Sequence, residues 1–396
     1  MQISDFSLSR LPRIEFGAGA RVRLPAIART YGATALLVTG AGALQHSPFW
    51  DALLGGLKMQ GISWRHLAIP GEPSPQMVDE AVRALRSESI DVVVGIGGGS
   101  ALDAAKAIAG LLKTGDSVMD HLEGVGPERP YAGPATPFIA VPTTAGTGSE
   151  ATKNAVLSVR GKEGFKKSFR DEKLVAEVAL VDPDLLATCP SGVIAANGMD
   201  ALTQLLESYV SNRAAPLTDS LAWGGMKAAR DGLLAFYADA GDTDARKRMA
   251  YAALVSGITL AQVGLGSVHG LAAPLGAFFP IPHGIACGTL VAAATRINIE
   301  ALRARQANHP VLEKYAQVGR LLSRQGHLGQ VEAHAALIET LESWTQALRL
   351  PALSRFGVRH DDIPRIVANS RGSSMKTNPV ELGDAEIAEV LAARIE

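Results

Sequence analysis

The sequence predicts an α/β domain with a parallel sheet over residues 1–185 and an all-helical domain over residues 186–396. Short apolar runs alternate with amphipathic helical patterns as far as "VALVDPDLL" (178–186), and this alternation is typical of parallel strands joined by crossover helices. From about residue 190 the patterns become long, Ala/Leu-rich and helical, as in "LTDSLAWGGMKAARDGLLAFYADA" (217–240). A chain of 396 residues is also long enough to form two hydrophobic cores.

The first predicted elements of the α/β domain are bounded by turn residues. Strands and helices alternate at residues 33–40, 47–61, 62–70, 74–88 and 91–100. The first two helices each start with a Ser-Pro pair, in which Ser47 or Ser74 suits the N-cap and the proline suits the first helical position.

Composition and charge exclude several classes of protein. The net charge is −1, with 38 basic and 39 acidic residues, so there is no bulk attraction to nucleic acid or to an anionic membrane. Cys189 and Cys287 are too few for a disulfide framework or a thiolate metal cluster. The N-terminus lacks the pattern of a signal peptide. We therefore expect a cytoplasmic protein in a reducing compartment.

One uncharged stretch needs a membrane test. No Asp, Glu, Lys or Arg lies between Arg248 and Arg296, which is long enough for two membrane spans. The segment "SVHGLAAPLGAFFPIPHG" interrupts it with His, Pro and Gly. We interpret this stretch as buried helices that meet at a functional loop.

A glycine-rich turn is the first motif with chemical meaning. In "GIGGGSALDAAKAIAG" (95–110), a Val-rich strand runs through three glycines into a helix. The glycines allow the backbone to approach a ligand, and the helix N-terminus attracts anions. Ser100 is predicted to cap the helix, and Asp103 to hold the loop or a ribose. The turn therefore predicts a pyrophosphate site formed by Gly97, Gly98, Gly99 and Ser100, although it is neither a GxGxxG nor a GxxxxGK[ST] motif.

Two further stretches extend this nucleotide site. "PTTAGTGSEATKNAV" (142–156) supplies small hydroxyl and glycine groups that suit another part of the nucleotide, and Asn154 near its end is predicted to contact the substrate. "LVTGAGAL" (37–44) ends a strand at Gly40, where dinucleotide-binding proteins often carry an acidic residue that contacts a ribose hydroxyl. The absence of a carboxylate there permits NADP.

A candidate metal site comes from the second domain. Asp200 and Gln204 share a helix face in "NGMDALTQLLESYV" (197–210). His269 and His283 flank a Gly/Pro-rich turn. One carboxylate and two imidazoles form a three-ligand set for Zn²⁺ or Fe²⁺ with an open position. Gln204 is then an altered ligand, the trace of a lost ligand or an ordinary helical residue.

These motifs together resemble the iron-containing (group III) alcohol dehydrogenases. The resemblance rests on "GGGSALDAAKA", "PTTAGTGSE", "NGMDAL" and "HGLAAPLGAFFPIPHG", and extends from about residue 13 to the C-terminus. It implies a dehydroquinate synthase-like architecture, with a Rossmann-like dinucleotide-binding domain and a helical metal domain. It also implies hydride transfer between NAD(P) and a small alcohol or aldehyde, and a homodimer paired through "RIEFGAG" (13–19).

The resemblance assigns residues to roles. On the cofactor side are Gly97 to Ser100, Asp103, Thr143, Thr144, Thr147 and Lys167. On the metal side are Asp200, His269 and His283. As metal ligands, these three residues would lie at the reaction centre.

The sequence departs from the family pattern at four positions. The family commonly has His at the position of Gln204, and often a second His where this chain has Ala273, which leaves the proton donor open. Ser74 replaces an Asn near the cofactor. Gly40 replaces the Asp of NAD-preferring members, which favours NADP.

A loop near the C-terminus suggests the type of substrate. "NSRGSSMKTNP" (369–379) clusters two cations with two hydroxyls, namely Arg371, Lys376, Ser373 and Ser374. Such groups suit a phosphonate, sulfonate, phosphate or carboxylate, although an ordinary solvated loop has the same composition. Among relatives, the phosphonoacetaldehyde reductases (hydroxyethylphosphonate dehydrogenases) fit an anion clamp.

Three alternative functions remain open. A dehydroquinate-synthase-like lyase would need further basic residues and would consume no net NADPH. A maleylacetate-reductase-like enzyme would reduce a double bond in an acid. A nucleotide-binding protein with a decayed metal site would fit the substitutions Gln204 and Ala273, and steady NADPH oxidation with an aldehyde would exclude it.

Overall fold

The computed structural model describes residues 5–42 and 44–395, and the chain divides into two compact units. The α/β unit comprises Ser9–Val159 and Gly164–Cys189. The helical unit comprises the described residues from Pro190 onwards, with Arg160–Glu163 and the described residues before Ser9. Ala43, within the predicted turn at residues 37–44, lies outside the described part of the chain.

The α/β unit contains a six-stranded parallel sheet, as the sequence predicted. The strands are β1 (Arg13–Phe16), β2 (Thr34–Gly40), β3 (Ser63–Ile69), β4 (Val92–Gly97), β5 (Phe138–Pro142) and β8 (Val178–Val181). Their order across the sheet is β1-β8-β5-β4-β2-β3, and every neighbouring pair is parallel.

Four helices connect these strands. They are α1 (Leu24–Arg29), α2 (Pro48–Met59), α3 (Pro75–Leu85) and α4 (Gly99–Leu111). The predicted caps of α2 and α3 are confirmed, because the hydroxyl oxygen of Ser47 accepts a hydrogen bond from Trp50 N and that of Ser74 accepts one from Met77 N.

The sheet is buried on both faces. Along β4, Val92, Val94 and Ile96 enter one apolar cluster, and Val93 enters the cluster on the opposite face. This alternation follows from the two-residue period of a strand. The carboxyl ends of β2, β4 and β5 lie side by side, since Thr39 pairs with Ile96 and Gly97 with Pro142. Loops that follow these strands therefore meet at one edge of the sheet.

A separate antiparallel hairpin interrupts the alternation of strands and helices. It consists of β6 (Asn154–Val159) and β7 (Phe165–Arg170), which pair only with each other among the described strands. The sequence analysis did not predict these strands. The strand "FKKSFR" is only partly buried, so its sequence is partly polar and lacks the apolar run of the sheet strands.

The second unit is helical, as predicted. Its long helices are α5 (Ser191–Val210), α6 (Pro216–Ala238), α7 (Thr243–Val263), α8 (Ser267–Phe278), α9 (His283–Arg305), α10 (Pro310–Ser323) and α11 (Gln330–Ala347). Two shorter helices follow, α12 (Ile363–Ala368) and α13 (Asp384–Ala392).

The uncharged stretch forms the centre of this unit. Helix α9 is long and apolar enough to cross a membrane, and α7 with α8 passes the same test as a pair bent by 100°. Within α9, 78% of the apolar window is buried inside the protein. Such burial is what the core helix of a helical domain shows.

Candidate functional site

Four side chains of the helical unit converge on one point. They are Asp200 on α5, His269 on α8, and His283 and Cys287 on α9, and one donor atom of each lies within 4.8 Å of the others. Asp200 and Cys287 are fully buried, His269 is 7% exposed and the side chain of His283 is 28% exposed. The structure thus brings together the three predicted metal-site residues and adds a thiol.

Asp200 has an incomplete set of partners for a buried carboxylate. Its Oδ1 lies 3.3 Å from His269 Nε2 and 3.8 Å from His283 Nε2. Its Oδ2 is buried without a hydrogen-bond partner within residues 5–42 and 44–395. Burial raises the pKa of Asp200, but His283 and His269 outweigh it and hold the pKa below its usual value. Since buried polar atoms are normally paired, the orphaned oxygen fits a metal ion.

Glu207 controls the orientation of the His269 ring. Its Oε2 lies 2.6 Å from His269 Nδ1, and its Oε1 accepts a hydrogen bond from Val268 N at 2.7 Å. When Nδ1–H donates to Glu207, Nε2 of the neutral imidazole directs a lone pair at Asp200. Two acceptors 3.3 Å apart require a cation between them or a second proton on the ring. Carboxylates hold metal-binding imidazoles in this way.

Charges around His269 favour a positive group in the cluster. Burial lowers the pKa of His269, but the carboxylates that face its ring, Glu207 and Asp200, help to raise it well above the ordinary value. Burial also raises the pKa of the Cys287 thiol to about 12.

Sequence reasoning missed Cys287 and Glu207. Cys287 lies one helical turn after His283, and its Sγ is 3.6 Å from His269 Nε2 and 3.7 Å from His283 Nε2. The i, i+4 spacing that drew attention to Asp200 and Gln204 also relates His283 to Cys287. Glu207 lies two turns after Asp200 on α5, where periodicity places it on the same face.

Gln204 is engaged elsewhere in the helical unit. Its Oε1 accepts a hydrogen bond from Ser256 Oγ of α7 at 2.7 Å, so this contact joins α5 to α7. Coordination of a metal by the same oxygen would compete with that bond. Ala273 lies on α8, one turn after His269, and its methyl group carries no transferable proton.

In the α/β unit, the two predicted glycine loops contact each other. An added Cβ on Gly98 would lie 3.3 Å from Thr144 Oγ1, and one on Gly99 would lie 2.7 Å from Thr147 Cγ2. Thr143 N also donates to the carbonyl of Gly97. A larger residue in place of Gly99 would therefore force the Thr147 side chain of the second loop to move.

The start of α4 lacks a side-chain cap. Gly98 is the N-cap and makes no side-chain cap hydrogen bond, so the prediction that Ser100 caps this helix is wrong. Ser100 is the second residue of the helix, because the helix begins earlier in the glycine run than the sequence suggested. Backbone N–H groups at an uncapped helix start suit a phosphate.

A buried network fixes the second loop. Lys106 is fully buried, and its Nζ donates to the carbonyls of Ser149 and Asn154 and to the hydroxyls of Ser149 and Thr152. Asp103 accepts hydrogen bonds from Ser149 Oγ and Val156 N. Asp103 was predicted either to hold a loop or to contact a ribose, and these two hydrogen bonds correspond to the first role.

The remaining cofactor residues lie at strand ends and helix starts. Gly40 ends β2, and its carbonyl accepts a hydrogen bond from Gln45 Nε2. An added Cβ on Gly40 would meet no atom within 4 Å. Ser74 caps α3, as described above. Lys167 lies on β7, with its Nζ beside Gly124.

Two of the five predicted substrate residues, Arg371 and Asn154, have side-chain partners within the protein. Arg371 donates to the carbonyl of Leu382 and to Asp384 Oδ1, and Asn154 Oδ1 accepts from Arg170 Nε. Ser373 and Ser374 are partly buried and Lys376 is exposed. Asn154 belongs to the α/β unit and the other four to the helical unit, so they form no single cluster within one unit.

The loop at residues 369–379 packs against the start of α8, which carries His269. An added Cβ on Gly270 would lie 3.1 Å from the carbonyl oxygen of Ser370 and 2.9 Å from Met375 Cε. Thr377 Oγ1 donates to the carbonyl of Leu265. The loop therefore supports the segment that holds His269.

Comparisons with known proteins match both units. The family described as "Iron-containing alcohol dehydrogenase" matches residues 12–183, and "Fe-containing alcohol dehydrogenase family, C-terminal" matches residues 194–395. The NAD-dependent methanol dehydrogenase of Bacillus methanolicus is 32% identical over 323 residues, which cover 81% of each chain. The NADPH-dependent butanol dehydrogenase of Clostridium saccharobutylicum is 30% identical and covers 89% of this chain and 87% of its own.

A solved structure shows the same architecture over the whole chain. Sulfoacetaldehyde reductase from Bifidobacterium kashiwanohense, in complex with NAD+, is 26% identical, covers 99% of both chains and has a TM-score of 0.84. With both units matched by family, sequence and fold, the chain belongs to the iron-containing alcohol dehydrogenase family and is an NAD(P)-dependent oxidoreductase acting on CH–OH groups.

Proposed function

We propose that this chain interconverts a small aldehyde and its alcohol with the help of a divalent metal and NADP. The observation that carries the metal-assisted part is the buried cluster of Asp200, His269 and His283, with an orphaned oxygen on Asp200. One carboxylate and two imidazoles are ligands that Fe²⁺ and Zn²⁺ both accept. When bound, such a metal supplies a Lewis acid that polarises the carbonyl oxygen of the aldehyde.

The protein's own residues bind and orient the reactants. Glu207 holds His269 by its Nδ1 and so directs Nε2 into the cluster. In the α/β unit, the uncapped start of α4 and the packed Thr144 and Thr147 form the proposed pyrophosphate site. The nicotinamide carries the hydride, and the protein supplies position and field. Since Ala273 cannot donate a proton, water or a ribose hydroxyl protonates the alkoxide in this scheme.

The proposed preference for NADP rests on the end of β2. Gly40 places no carboxylate there, and the side-chain amide of Gln45 lies against its carbonyl. A 2′-phosphate would therefore meet no negative side chain at Gly40. Relatives named for NAD and for NADPH both occur, so membership of the family does not by itself select the cofactor. We assign the choice to residues such as Gly40.

The finer substrate proposal is an aldehyde with an anionic tail. Its support is that the loop at residues 369–379 packs beside His269, and that one solved relative is a sulfoacetaldehyde reductase. Binding of the tail by Arg371 requires its ion pair with Asp384 to open. The side chain of Asp384 is 77% exposed, and exposed pairs contribute about 0–1 kcal/mol, so this opening costs little.

We also propose a homodimer that forms along β1. This strand lies at the edge of the six-stranded sheet and pairs with β8 on one side. Two exposed apolar side chains of the same unit, Leu11 and Ile14, lie just before this strand and within it. An open strand edge next to exposed apolar groups favours pairing with a second copy.

The central test measures NADPH oxidation with short neutral and anionic aldehydes. We expect activity that a chelator removes and that Zn²⁺ or Fe²⁺ restores. His269→Ala should lose this activity, whereas His327→Ala, at an exposed histidine of the same unit, should keep it. Full activity of the His269 variant would overturn the proposed function. Equal kcat/KM for anionic and neutral aldehydes would remove the anionic tail alone.

A further inference from the structure

Cys287 completes a four-donor set. Its Sγ, two imidazole nitrogens and Asp200 Oδ1 are the donor atoms. The sulfur lies 3.6 and 3.7 Å from the two nitrogens, the oxygen lies 3.3 and 3.8 Å from them, and all four atoms lie within 4.8 Å of one another. All four belong to the helical unit, on three helices that pack together.

Four of the six edges of this donor set are close to those of a tetrahedron around one metal ion. Metal bonds of about 2.3 Å to sulfur and about 2.05 Å to nitrogen give a sulfur–nitrogen edge of about 3.6 Å at the tetrahedral angle. The corresponding edge from oxygen to nitrogen is about 3.4 Å. An S–H hydrogen bond would account for the contact with one imidazole nitrogen, whereas a shared metal ion accounts for both contacts at once.

A second observation points to a cation independently of the thiol. Asp200 Oδ2 is buried and has no hydrogen-bond partner in the described part of the chain, and Asp200 itself is 0% exposed. Glu207 also fixes His269 so that its Nε2 faces Asp200 Oδ1. The carboxylate of Asp200 therefore keeps one oxygen without a donor directly beside the four donor atoms, which a bound cation would satisfy.

We propose that Cys287 is a direct metal ligand as a thiolate, and that Gln204 is not, so that the site selects Zn²⁺ over Fe²⁺. Gln204 already accepts a hydrogen bond from Ser256, whereas Cys287 points at both histidines. The thiol proton leaves to solvent when the metal binds. A soft sulfur donor favours zinc beyond the general order of affinities.

This inference depends on the metal site of the proposed function but not on its substrate. Zn²⁺ accepts a fifth ligand in catalytic sites, so four protein donors are compatible with aldehyde binding. The test therefore reads the metal–sulfur bond directly and does not use turnover.

The experiment replaces the metal with Co²⁺ in the full-length protein and records its absorption. Wild type should bind about one Co²⁺ per chain and show a near-ultraviolet thiolate-to-cobalt charge-transfer band. Gln204→Ala should keep the band, as should Cys189→Ser, which alters the other cysteine of the chain. Cys287→Ser and Cys287→Ala should abolish it. Stoichiometric binding without the band in wild type would overturn the proposal, even if a variant fails to fold.

Zinc affinity and selectivity give a second readout. Loss of a residue that only hydrogen-bonds to a metal ligand weakens metal binding by about 10–100-fold. Loss of Cys287, as a direct ligand, should weaken Zn²⁺ binding by more than that. The ratio of Zn²⁺ to Fe²⁺ affinity, measured anaerobically, should fall in Cys287→Ala combined with Gln204→His, which exchanges sulfur for nitrogen. An unchanged ratio would contradict the selectivity.

Turnover separates the two proposals. A cobalt–thiolate band without aldehyde reduction would overturn the proposed function and leave the ligand assignment intact. Metal-dependent reduction without the band would do the reverse.

Discussion

Glu207 Oε2 lies 2.6 Å from Nδ1 of His269, while Oε1 of the same carboxylate accepts a hydrogen bond from Val268 N. The Glu207 carboxylate on α5 therefore bonds to both the backbone of Val268 and the ring of His269 at the start of α8. This arrangement sets the tautomer of His269, and through it the lone pair that faces Asp200.

Glu207→Gln should weaken metal binding by about 10–100-fold. A glutamine amide can donate to Nδ1, which would place the ring proton on Nε2, facing the metal. Titration with Zn²⁺ in competition with a chromophoric chelator measures the change. Glu339→Gln, at an exposed position of α11, is the control and should bind as wild type does. Wild-type affinity in the Glu207 variant would show that the carboxylate does not set the tautomer.

Gly40→Asp should shift the cofactor preference from NADPH towards NADH. An added Cβ meets no atom within 4 Å, so this backbone position accepts a side chain, and the charge of the new carboxylate repels a 2′-phosphate. We expect the ratio of kcat/KM values to change by about tenfold or more, which corresponds to about 1.4 kcal/mol. Gly40→Asn has a similar shape without the charge and should change the ratio much less. Equal effects of both variants would argue for a steric cause.

Gly99→Ala should raise the Kd of the cofactor by about tenfold, through displacement of Thr147, whose Cγ2 would lie 2.7 Å from the new Cβ. Fluorescence titration with NADPH measures the Kd. The penalty should shrink in a Thr147→Ala background, because the two closest atoms, Thr147 Cγ2 and Oγ1, are then removed. Gly55→Ala, where an added Cβ meets no atom within 4 Å, is the control. Additive effects of the two substitutions would contradict direct packing between the loops.

Glu150→Gln should make the protein more stable than wild type at neutral pH. Burial raises the pKa of Glu150 from 4.5 to about 7, against the lowering effects of a backbone hydrogen bond and Lys106. Because the folded pKa exceeds the unfolded one, the stability from this group is complete below about pH 4.5 and is lost as pH rises through about 7. The difference should reach roughly 3 kcal/mol above pH 7.

Thermal unfolding of wild type and Glu150→Gln at pH 5 and pH 8 checks this prediction. The two melting temperatures should be close at pH 5 and should diverge at pH 8, with the variant higher. Lys106 acts in a different window, since burial lowers its pKa to about 8 despite Asp103 and Glu150. Glu163→Gln, at an exposed carboxylate, should follow wild type. A gap that stays constant with pH would mean that Glu150 does not titrate in this range.

Local patterns predicted most of the sheet and its helices. The Ser-Pro starts of α2 and α3 carry their own cap and first residue, so they need no distant partner to be recognised. The hairpin of β6 and β7 escaped prediction because it lies outside the parallel sheet and is polar along part of its length. Its strands depend on each other, and one-dimensional periodicity does not show that pairing.

The metal cluster was predictable only in part. Asp200, His269 and His283 stood out by residue type and by neighbouring glycines, and the fold places them together. Cys287 was set aside because two cysteines cannot form a thiolate cluster, yet one is enough for a mixed donor set. Glu207 contacts a residue 62 positions away, and such a pairing emerges only when α5 and α8 are placed in space.

The distribution of the four donors has a mechanical consequence. Asp200 and His269 are separated by a long segment that contains α6 and α7, whereas His283 and Cys287 share one turn of α9. A bound ion would therefore act as a reversible cross-link. It would close a long loop between α5 and α8, and it would hold the first turn of α9 in its helical conformation. Most of its effect on the unfolded chain would come from the longer loop. Removal of the ion would release the start of α9 first, so amide hydrogen exchange there should report metal loss before the protein unfolds as a whole.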